Sequence, residues 1–196
     1  MILAAGRSRR FGEPKQVASL AGRPLLEHVI RNAVATGLVD RWIVVLGSRA
    51  EQVSRDVPLH DVHPVVCETW AEGQSESLRS GIDALREEDE AAVILLGDQP
   101  LVTTAAIERV VGARRDGALA IRATFRGAPG HPVVVERPLF PRFARIVGDI
   151  GAREVLATAS TREVACDDVA NPADVDAPED LRQIERWIDR ARPARP

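Results

Sequence analysis

The first fifteen residues, MILAAGRSRRFGEPK (residues 1–15), contain a short apolar run followed by a basic loop with two glycines. Residues 2–5 are apolar and fit a buried strand that ends at Gly6. Gly6 and Gly12 permit a loop whose successive N–H groups point inward, and such a concavity binds anions. A basic loop directly after a first buried strand is typical of α/β proteins that hold phosphates. The stretch therefore favours an α/β fold with a phosphate-binding loop over a solvated basic turn.

Two common phosphate-binding motifs are excluded by the order of residues in this loop. A P-loop requires Gly-Lys-Ser/Thr after four spacer residues, whereas Gly12 is followed by Glu13, Pro14 and Lys15. The G-x-G-x-x-G dinucleotide fingerprint is also absent after this strand. The positive charge of the loop comes from Arg7, Arg9, Arg10 and Lys15. Such side chains can grip phosphate oxygens, so the loop is predicted to be a phosphate site of another class.

The rest of the chain alternates between apolar runs and amphipathic segments. Residues 91–96 form an unbroken apolar run, which is the pattern of a strand in a parallel sheet covered on both faces. We predict strands at 2–5, 41–46, 62–67, 91–96, 118–124, 132–136 and 162–166, and helices at 24–37, 49–56, 74–85, 104–114, 138–147, 152–159 and 178–191. This alternation predicts a Rossmann-like three-layer α/β sandwich, a mostly parallel sheet with helices on both faces. The closer spacing of the later strands leaves room for an antiparallel part.

Length and composition indicate one globular domain. The 196 residues, 45% hydrophobic and 28% charged, suit a single domain at 1–191 with a disordered polar tail at 192–196. A net charge of −3 gives no support for nucleic acid as a partner, and no run of apolar residues is long enough to predict a membrane span. Cys67 and Cys166 are predicted to be buried thiols rather than a disulfide or a zinc site. We therefore expect a cytoplasmic protein.

Two aspartates that follow or precede regular elements are candidate metal ligands. Asp98 directly follows the strand at 91–96, and ligands of open α/β sheets bind beyond the carboxyl ends of strands. Asp176 lies just before the last helix, which Pro178 opens, so it is equally well placed to cap that helix. Magnesium prefers carboxylate oxygens together with waters and substrate phosphates. The pattern favours Asp98 as a magnesium ligand and leaves Asp176 open between a second ligand and a helix cap.

Other polar segments are placed where a ligand could bind. Gly73 and Ser75 open a helix whose N-terminal N–H groups can bind a phosphate or a base edge, although an ordinary capping box has the same pattern. His131 lies in a Gly-His-Pro segment, and no Ser or Cys nucleophile motif accompanies it. Asp149 could cap a helix, and Arg153 could bind an acceptor phosphate. By themselves these residues do not decide between structural and functional roles.

The segment Leu3-Ala-Ala-Gly-x-Ser-x-Arg-x-Gly-x-x-Lys15 resembles the signature of nucleotidyltransferases that use an NTP and release pyrophosphate. Further matching segments follow in the family's order at 73–81, 96–100, 130–132, 148–153 and 174–181. The nearest resemblance is to molybdenum-cofactor cytidylyltransferases, within the nucleotide-diphospho-sugar transferase-like superfamily. The chain departs from the pattern at Ala177, where related enzymes usually have Thr. This change keeps the carboxylate of Asp176 but removes a neighbouring hydroxyl.

The resemblance implies a role for each segment. Lys15 and Asp98 would be the catalytic residues, and Asp98 and Asp176 would hold Mg²⁺, with Mn²⁺ as a substitute. The acceptor side of the site would comprise His131, Asp149 and Arg153. The nucleotide would be bound by Leu3, Ala4, Ala5, Gly6, Arg7, Ser8, Arg9, Arg10, Lys15, Gly73, Gln74 and Ser75.

The resemblance also implies a reaction. Guanylyl-transferring relatives usually have Leu-Ala-Gly-Gly at the position of Leu3 to Gly6, and the methyl group of Ala5 narrows the space for a purine. The expected reaction is Mg²⁺-dependent transfer of CMP from CTP to the phosphate of molybdopterin, with release of pyrophosphate. Three alternatives stay open: GTP or another NTP, a different phosphate or sugar-phosphate acceptor, and a non-catalytic protein that escorts the molybdenum cofactor. A molybdoenzyme is a further expected partner, whereas nucleic acid and membranes are not.

Overall fold

The computed structural model describes residues 1–8, 10–114, 117–148 and 151–191. The strands of this part of the chain are β1 (Ile2–Ala4), β2 (Ser19–Leu20), β3 (Arg23–Pro24), β4 (Ile43–Leu46), β5 (His63–Val66), β6 (Ala91–Leu96), β7 (Ala120–Phe125), β8 (Ala128–Glu136) and β9 (Thr161–Ala165). The helices are α1 (Leu25–Val34), α2 (Ala50–Asp56), α3 (Gln74–Asp83), α4 (Thr104–Gly112), α5 (Phe140–Phe143), α6 (Ala152–Ala157) and α7 (Pro178–Ala191). Short 3₁₀ turns lie at Lys15–Val17, Trp70–Glu72 and Arg137–Leu139.

Seven of the strands form one sheet in the order β5-β4-β1-β6-β8-β7-β9. β1, β4, β5 and β6 are parallel to one another, and β9 is parallel to β7. β8 runs antiparallel to both of its neighbours, β6 and β7. This confirms the predicted mostly parallel sheet with an antiparallel part. Because β1 and β6 are parallel neighbours, with Ile2 beside Leu95, the loops that follow them meet at the same edge of the sheet.

Helices cover both faces of this sheet, as the alternation of elements predicted. Val93 and Leu95 of β6 pack in one apolar cluster with buried residues of α1, α2 and α4. Ala92 and Ile94 of the same strand pack on the other face with residues of α3, α5 and α6. Successive side chains of a strand point to opposite faces, so one continuous apolar run supplies both layers of the core. The three-layer arrangement is therefore confirmed.

Most element ends lie within two residues of the sequence prediction, and three elements differ by more. The helix predicted at 24–37 is shorter in the structure, where α1 spans Leu25–Val34. Pro24 belongs instead to β3, which pairs with β2 in a small hairpin that the prediction did not include. The segment 138–147 forms a 3₁₀ turn and the four-residue α5, because Pro138 and Pro141 each fit only the first turn of a helix. The strand predicted at 132–136 begins at Ala128, where it completes a hairpin with β7.

Other features of the chain can be compared with the sequence predictions. Cys67 and Cys166 are both buried and free, as predicted. Across the ranges that the structure describes, no helix is long and apolar enough to cross a membrane. The tail predicted at 192–196 lies outside the described residues.

Candidate active site

The basic loop after β1 is braced from inside by a buried glutamine. Gln16 is only 2% exposed, and its Nε2 donates to the carbonyl oxygen of Ala4 at 2.6 Å. The Lys15 N–H donates to Ser8 Oγ at 2.9 Å, and Ser8 itself has a positive φ of 52°. These bonds fold the loop back over the end of β1, so that Lys15 faces the sheet edge. The sequence analysis gave Gln16 no role, although a polar residue directly after Lys15 at the start of an apolar segment was a signal.

Lys15 joins the two candidate metal ligands. Its Nζ donates to Asp98 Oδ2 at 2.7 Å and to Asp176 Oδ1 at 3.2 Å. It also donates to the carbonyl oxygen of Val175 at 2.8 Å, so all three ammonium protons have an acceptor. The Lys15 side chain is 13% exposed, against 24% for Asp98 and 53% for Asp176. Residues from the beginning, middle and end of the chain thus meet at a single cation.

Lys15 is the only lysine in the sequence, and every other residue of its Lys and Arg total is an arginine. An ammonium is a compact point charge that can touch three oxygens arranged around it, whereas a guanidinium is a wide planar fork. The three contacts of Lys15 require the compact group. The lone lysine is therefore a compositional signal for this site that the sequence analysis did not use.

A cavity of about 270 Å³ opens beside this cluster. Its walls include Arg7, Ser8 and Arg10 of the basic loop, together with Asp98 and Asp176. Arg10 Nη1 lies 3.8 Å from Asp176 Oδ2, and both side chains are exposed to solvent. Cationic side chains and acids therefore face each other across one cleft, where an anion and a cation could be bound together.

The carboxylate of Asp176 is turned toward this cleft, and within the described residues it accepts no hydrogen bond from the first turn of α7. Asp180 Oδ2 accepts hydrogen bonds from the N–H groups of Asp176, at 2.9 Å, and Ala177, at 2.8 Å. Asp180, in the first turn of α7, thus reaches back to the N–H groups of the two residues that precede the helix, as in one half of a capping box. The side-chain contacts of Asp176 are therefore with Lys15 and Arg10 in the cleft.

The segment that carries Asp176 is fastened to the end of β6 by a clamp that is built on the buried side chain of Gln99. Gln99 Nε2 donates to Asp174 Oδ1 at 2.8 Å and to the Pro172 carbonyl oxygen at 3.2 Å. The Val175 N–H donates to the Asp98 carbonyl oxygen at 2.9 Å, which ties the two acid-bearing segments backbone to backbone. Burial raises the pKa of the Asp174 carboxyl, while the hydrogen bond from Gln99 acts in the opposite direction. The clamp fixes the position of Asp176 relative to Asp98.

The two aspartates have the donor chemistry of a divalent-metal site. Asp98 Oδ1 is buried and has no hydrogen-bond partner among the described residues, so one strong acceptor is left over. Both carboxylates reach the same ammonium nitrogen, so they are close enough to share an ion. No group of three or more His, Cys, Asp or Glu side chains that could hold a metal occurs within the described ranges. A pair of carboxylates is a donor set that can hold a divalent ion together with phosphates and waters.

A second cavity of about 340 Å³ adjoins the first. The two share Leu3, Gly6, Arg7 and Asp98 in their walls. Gly73 and Gln74, both predicted nucleotide contacts, line this second cavity, as does Ala5. Ser75 is fully buried, with its N–H donating to the Gly148 carbonyl oxygen at 3.1 Å, whereas the nearby Ser77 lines the cavity. The prediction for Ser75 thus falls on a residue behind the wall rather than on it.

Gly73 is a position that only glycine can occupy. Its φ of 132° lies in a region that L side chains rarely adopt, and a Cβ there would lie 2.3 Å from the Gly148 carbonyl carbon. We expect Gly73→Ala to lower the free energy of unfolding by about 1–3 kcal/mol. Chemical denaturation measures this loss. Gly112→Ala is the matched control, because nothing lies within 4 Å of a Cβ there; equal losses in both variants would contradict the expectation.

Of the residues predicted to bind the acceptor, His131 and Arg153 are described by the structure, and neither lies in the wall of the cleft. His131 lies in β8 and is close enough to Asp98 for the carboxylate to affect its pKa. Arg153 is exposed in the first turn of α6. Arg9 and Asp149, predicted to bind nucleotide and acceptor respectively, lie outside the described residues.

His131 is expected to make stability depend on pH. Burial lowers its pKa from 6.5 to about 4, with the charge of Asp98 acting weakly in the other direction. The unfolded chain therefore binds a proton at His131 between these values while the folded protein does not. Stability should fall as the pH drops from about 6.5 to about 4, by at most about 1.4 kcal/mol per pH unit from this group. Urea unfolding at a series of pH values measures the free energy of unfolding. The slope of this free energy against pH should be smaller in His131→Gln than in wild type, and identical slopes would contradict this account.

The chain is similar to one known protein family and to several solved structures. Residues 1–164 match the family model described as a MobA-like NTP transferase domain, a match that ends before Asp176. One similar solved structure is that of a homologue of Mycobacterium tuberculosis Rv0371c from Mycobacterium sp. strain JC1. Its sequence is 30% identical to this chain, and the TM-score is 0.84 over 97% of this chain and 96% of that chain. Rv0371c of M. tuberculosis H37Rv in complex with manganese is 29% identical, with a TM-score of 0.80 over 94% and 96% of the two chains.

A curated relative matches over a shorter length. The bifunctional protein GlmU of Burkholderia ambifaria is 38% identical over 123 residues, which are 62% of this chain and 26% of GlmU. The chain therefore spans about a quarter of the length of that relative. This partial match leaves the substrates to be argued from the site.

Proposed function

The chain belongs to the MobA-like NTP transferase family, and from this we propose that it transfers CMP from CTP to the phosphate of molybdopterin, releasing pyrophosphate. The observation that carries the proposal is the cluster in which Lys15 Nζ touches both Asp98 and Asp176 beside the basic loop. Nucleotidyl transfer between two polyanions requires concentrated positive charge and acids that can hold a metal ion. This cluster provides both.

The proposed reaction is an in-line displacement at the α-phosphorus of CTP. An oxygen of the acceptor phosphate forms a bond to the α-phosphorus, and the bond from that phosphorus to the oxygen bridging to the β-phosphate breaks. Pyrophosphate leaves with the bonding electron pair, and the product is a cytidine dinucleotide of the cofactor. The attacking phosphate oxygen is already ionised near neutral pH, so no general base is needed. The protein must chiefly position the two anions and reduce their repulsion.

The cationic loop is suited to this task. Lys15 lies at the boundary between the acids and the cavity, and Arg7 and Arg10 line the same cavity. We propose that these side chains and the loop N–H groups bind the phosphates of CTP and stabilise the negative charge that develops on the leaving pyrophosphate. Lys15 would exchange a carboxylate contact for a phosphate contact as the nucleotide enters.

Asp98 and Asp176 are the proposed ligands of a divalent ion. When bound, such an ion supplies positive charge to the reacting phosphate oxygens. Manganese in the solved complex of Rv0371c supports a divalent metal in this family. The buried, unpartnered Asp98 Oδ1 supports the same assignment in this chain.

The walls of the second cavity suit the nucleoside part of the NTP. Its walls are largely small or uncharged, and its charged members, Arg7 and Asp98, lie where it joins the phosphate cavity. A nucleotide likewise has a neutral aromatic base at one end and a charged tail at the other. We propose that the base occupies this cavity next to Ala5, whose methyl group favours cytosine over a purine.

A substrate panel tests the proposal. Pyrophosphate release should be measured for CTP, GTP, ATP and UTP with Mg²⁺ and molybdopterin, and with sugar phosphates as alternative acceptors. The proposed function predicts release that requires CTP, molybdopterin and metal together. Release with GTP or with a sugar phosphate instead would keep the enzyme class and change the substrate. Tight binding of the cofactor without NTP or metal, and without pyrophosphate release, would replace the enzyme with an escort protein.

A further inference from the structure

Trp70, to which the sequence analysis gave no role, forms part of the wall of the proposed nucleoside cavity. It opens the 3₁₀ turn that precedes α3, and it is the only aromatic residue that lines this cavity in the part of the chain described. A large planar side chain beside a neutral cavity is the group that would contact a nucleobase.

The backbone of Trp70 is held in a fixed position against the ends of two strands. A Cβ placed on Gly47 would lie 2.7 Å from Trp70 Cβ and 2.8 Å from Ala5 Cβ. Trp70 and Ala5 therefore close over Gly47, which has room for no side chain. The Trp70 N–H also donates to the Cys67 carbonyl oxygen at 3.3 Å. The Cα and Cβ of Trp70 are thus anchored at the edge of the sheet, and the side chain extends from there into the wall of the cavity.

The turn is also fastened to the helix on the other side of the cavity. The Glu72 N–H donates to the Thr69 carbonyl oxygen at 2.9 Å, and Thr69 Oγ1 donates to Glu76 Oε2 of α3 at 2.8 Å. Gly73 and Gln74, which line the cavity, lie between these anchor points. The wall that carries Trp70 and the wall that starts α3 are thus one braced unit.

Arg7 covers the indole at the side of the phosphate cavity. Its guanidinium carbon lies 4.8 Å from the centre of the Trp70 ring, a cation–π contact. Arg7 lines both cavities, so the contact places a positive charge at their junction. An aromatic side chain at this position therefore shapes the base cavity and also places a phosphate-binding arginine.

We propose that Trp70 is a specificity-determining residue that selects a pyrimidine over a purine nucleotide, with Arg7 stacked on it at the phosphate end. The inference rests on the proposed function, because it assigns the base of the NTP to this cavity. On this proposal a single-ring base packs against the indole, the Ala5 methyl group and the start of α3, and the second ring of a purine would compete with Trp70 for space. Pockets of this kind commonly discriminate by about 10–200-fold for small differences in substrate size.

The test compares Trp70→Ala and Trp70→Phe with the matched control Trp187→Phe, an exposed tryptophan in α7. Calorimetric affinities for CTP and GTP with Mg²⁺ give the selectivity, and pyrophosphate release gives KM and kcat for each nucleotide. We expect Trp70→Ala to reduce the CTP-to-GTP ratio of affinities at least tenfold, mostly through KM, and Trp70→Phe to restore most of it. Trp187→Phe should match wild type. Unfolding midpoints check that each variant is folded.

Tryptophan fluorescence provides a second readout that does not depend on turnover. CTP should change the emission of wild type and of Trp187→Phe, and the change should be absent in Trp70→Phe. An unchanged CTP-to-GTP ratio in folded Trp70→Ala, or an unchanged fluorescence response in Trp70→Phe, would overturn the inference while leaving nucleotidyl transfer intact. If wild type bound no nucleotide at all, the proposed function would fail and the inference with it.

Discussion

Asp98→Asn is expected to lower the rate of pyrophosphate release by about 10³-fold or more, because a metal ion contributes several kcal/mol to the stabilisation of the transition state. The substitution keeps the size of the side chain and removes its charge, so both the contact with Lys15 Nζ and the unpartnered Oδ1 lose their ionic character. The fold should survive, since the backbone bond from the Val175 N–H to the Asp98 carbonyl oxygen does not involve the side chain. Steady-state pyrophosphate release at saturating Mg²⁺ and CTP measures the loss.

The control for this variant is Asp83→Asn, which removes an exposed carboxylate at the end of α3, away from the cavities. It should retain the wild-type rate and metal dependence. Asp176→Asn should resemble Asp98→Asn with a smaller loss, because its carboxylate is more exposed and shares its contacts with Arg10. An Asp98→Asn enzyme that stays active and still needs metal would remove Asp98 from the metal site.

Lys15→Met is expected to slow the transfer by about 10²–10³-fold, the usual effect of removing a group that stabilises charge in the transition state. The same change should strengthen binding of Mn²⁺ in the absence of nucleotide, because the ammonium that neutralises Asp98 and Asp176 is gone. The two effects have opposite signs and are measured separately, by pyrophosphate release and by equilibrium Mn²⁺ binding. A general loss of structure would weaken both.

Lys15→Arg is the control that keeps the positive charge of the side chain and changes its shape. It keeps the positive charge but replaces the compact ammonium with a planar fork that does not suit three converging oxygens. Its rate should stay well below that of wild type. Since Lys15 is the only lysine in the chain, a lysine-selective reagent modifies no other side chain, and CTP should protect it. Full activity in Lys15→Met, or unchanged labelling with CTP, would contradict the role given to Lys15.

The sheet could be predicted from the sequence because its strands carry the signal locally. The run at 91–96 is apolar at every position, and a strand with no polar face must be covered on both sides. The hairpin of β2 and β3 could not be predicted in this way, since two-residue strands have no periodicity to detect. The segment 138–147 was likewise misassigned as one helix, because its apolar spacing suggested a helix while Pro138 and Pro141 divided it into two turns.

The site could be predicted only in part. Asp98 was suggested by its position after a buried strand, but the proximity of Asp176 depends on long-range contacts such as Gln99 to Asp174, which no local pattern reveals. Asp176 and Asp180 are both acids near one helix start, and only the hydrogen bonds show that Asp180 turns back to the N–H groups before the helix while Asp176 contacts Lys15. Trp70 reaches the cavity because Gly47, far away in sequence, leaves room for it. Sequence spacing does not contain that information.

The most direct test of the central claim is the binding of Mn²⁺ in the presence of CTP, followed by electron paramagnetic resonance. The claim is that Asp98 and Asp176 together hold one divalent ion against the phosphates bound by the basic loop. Wild type should bind one Mn²⁺ per chain with CTP, and the double variant Asp98→Asn/Asp176→Asn should lose that site while Asp83→Asn keeps it. Equal Mn²⁺ affinity in the double variant and wild type would contradict the account.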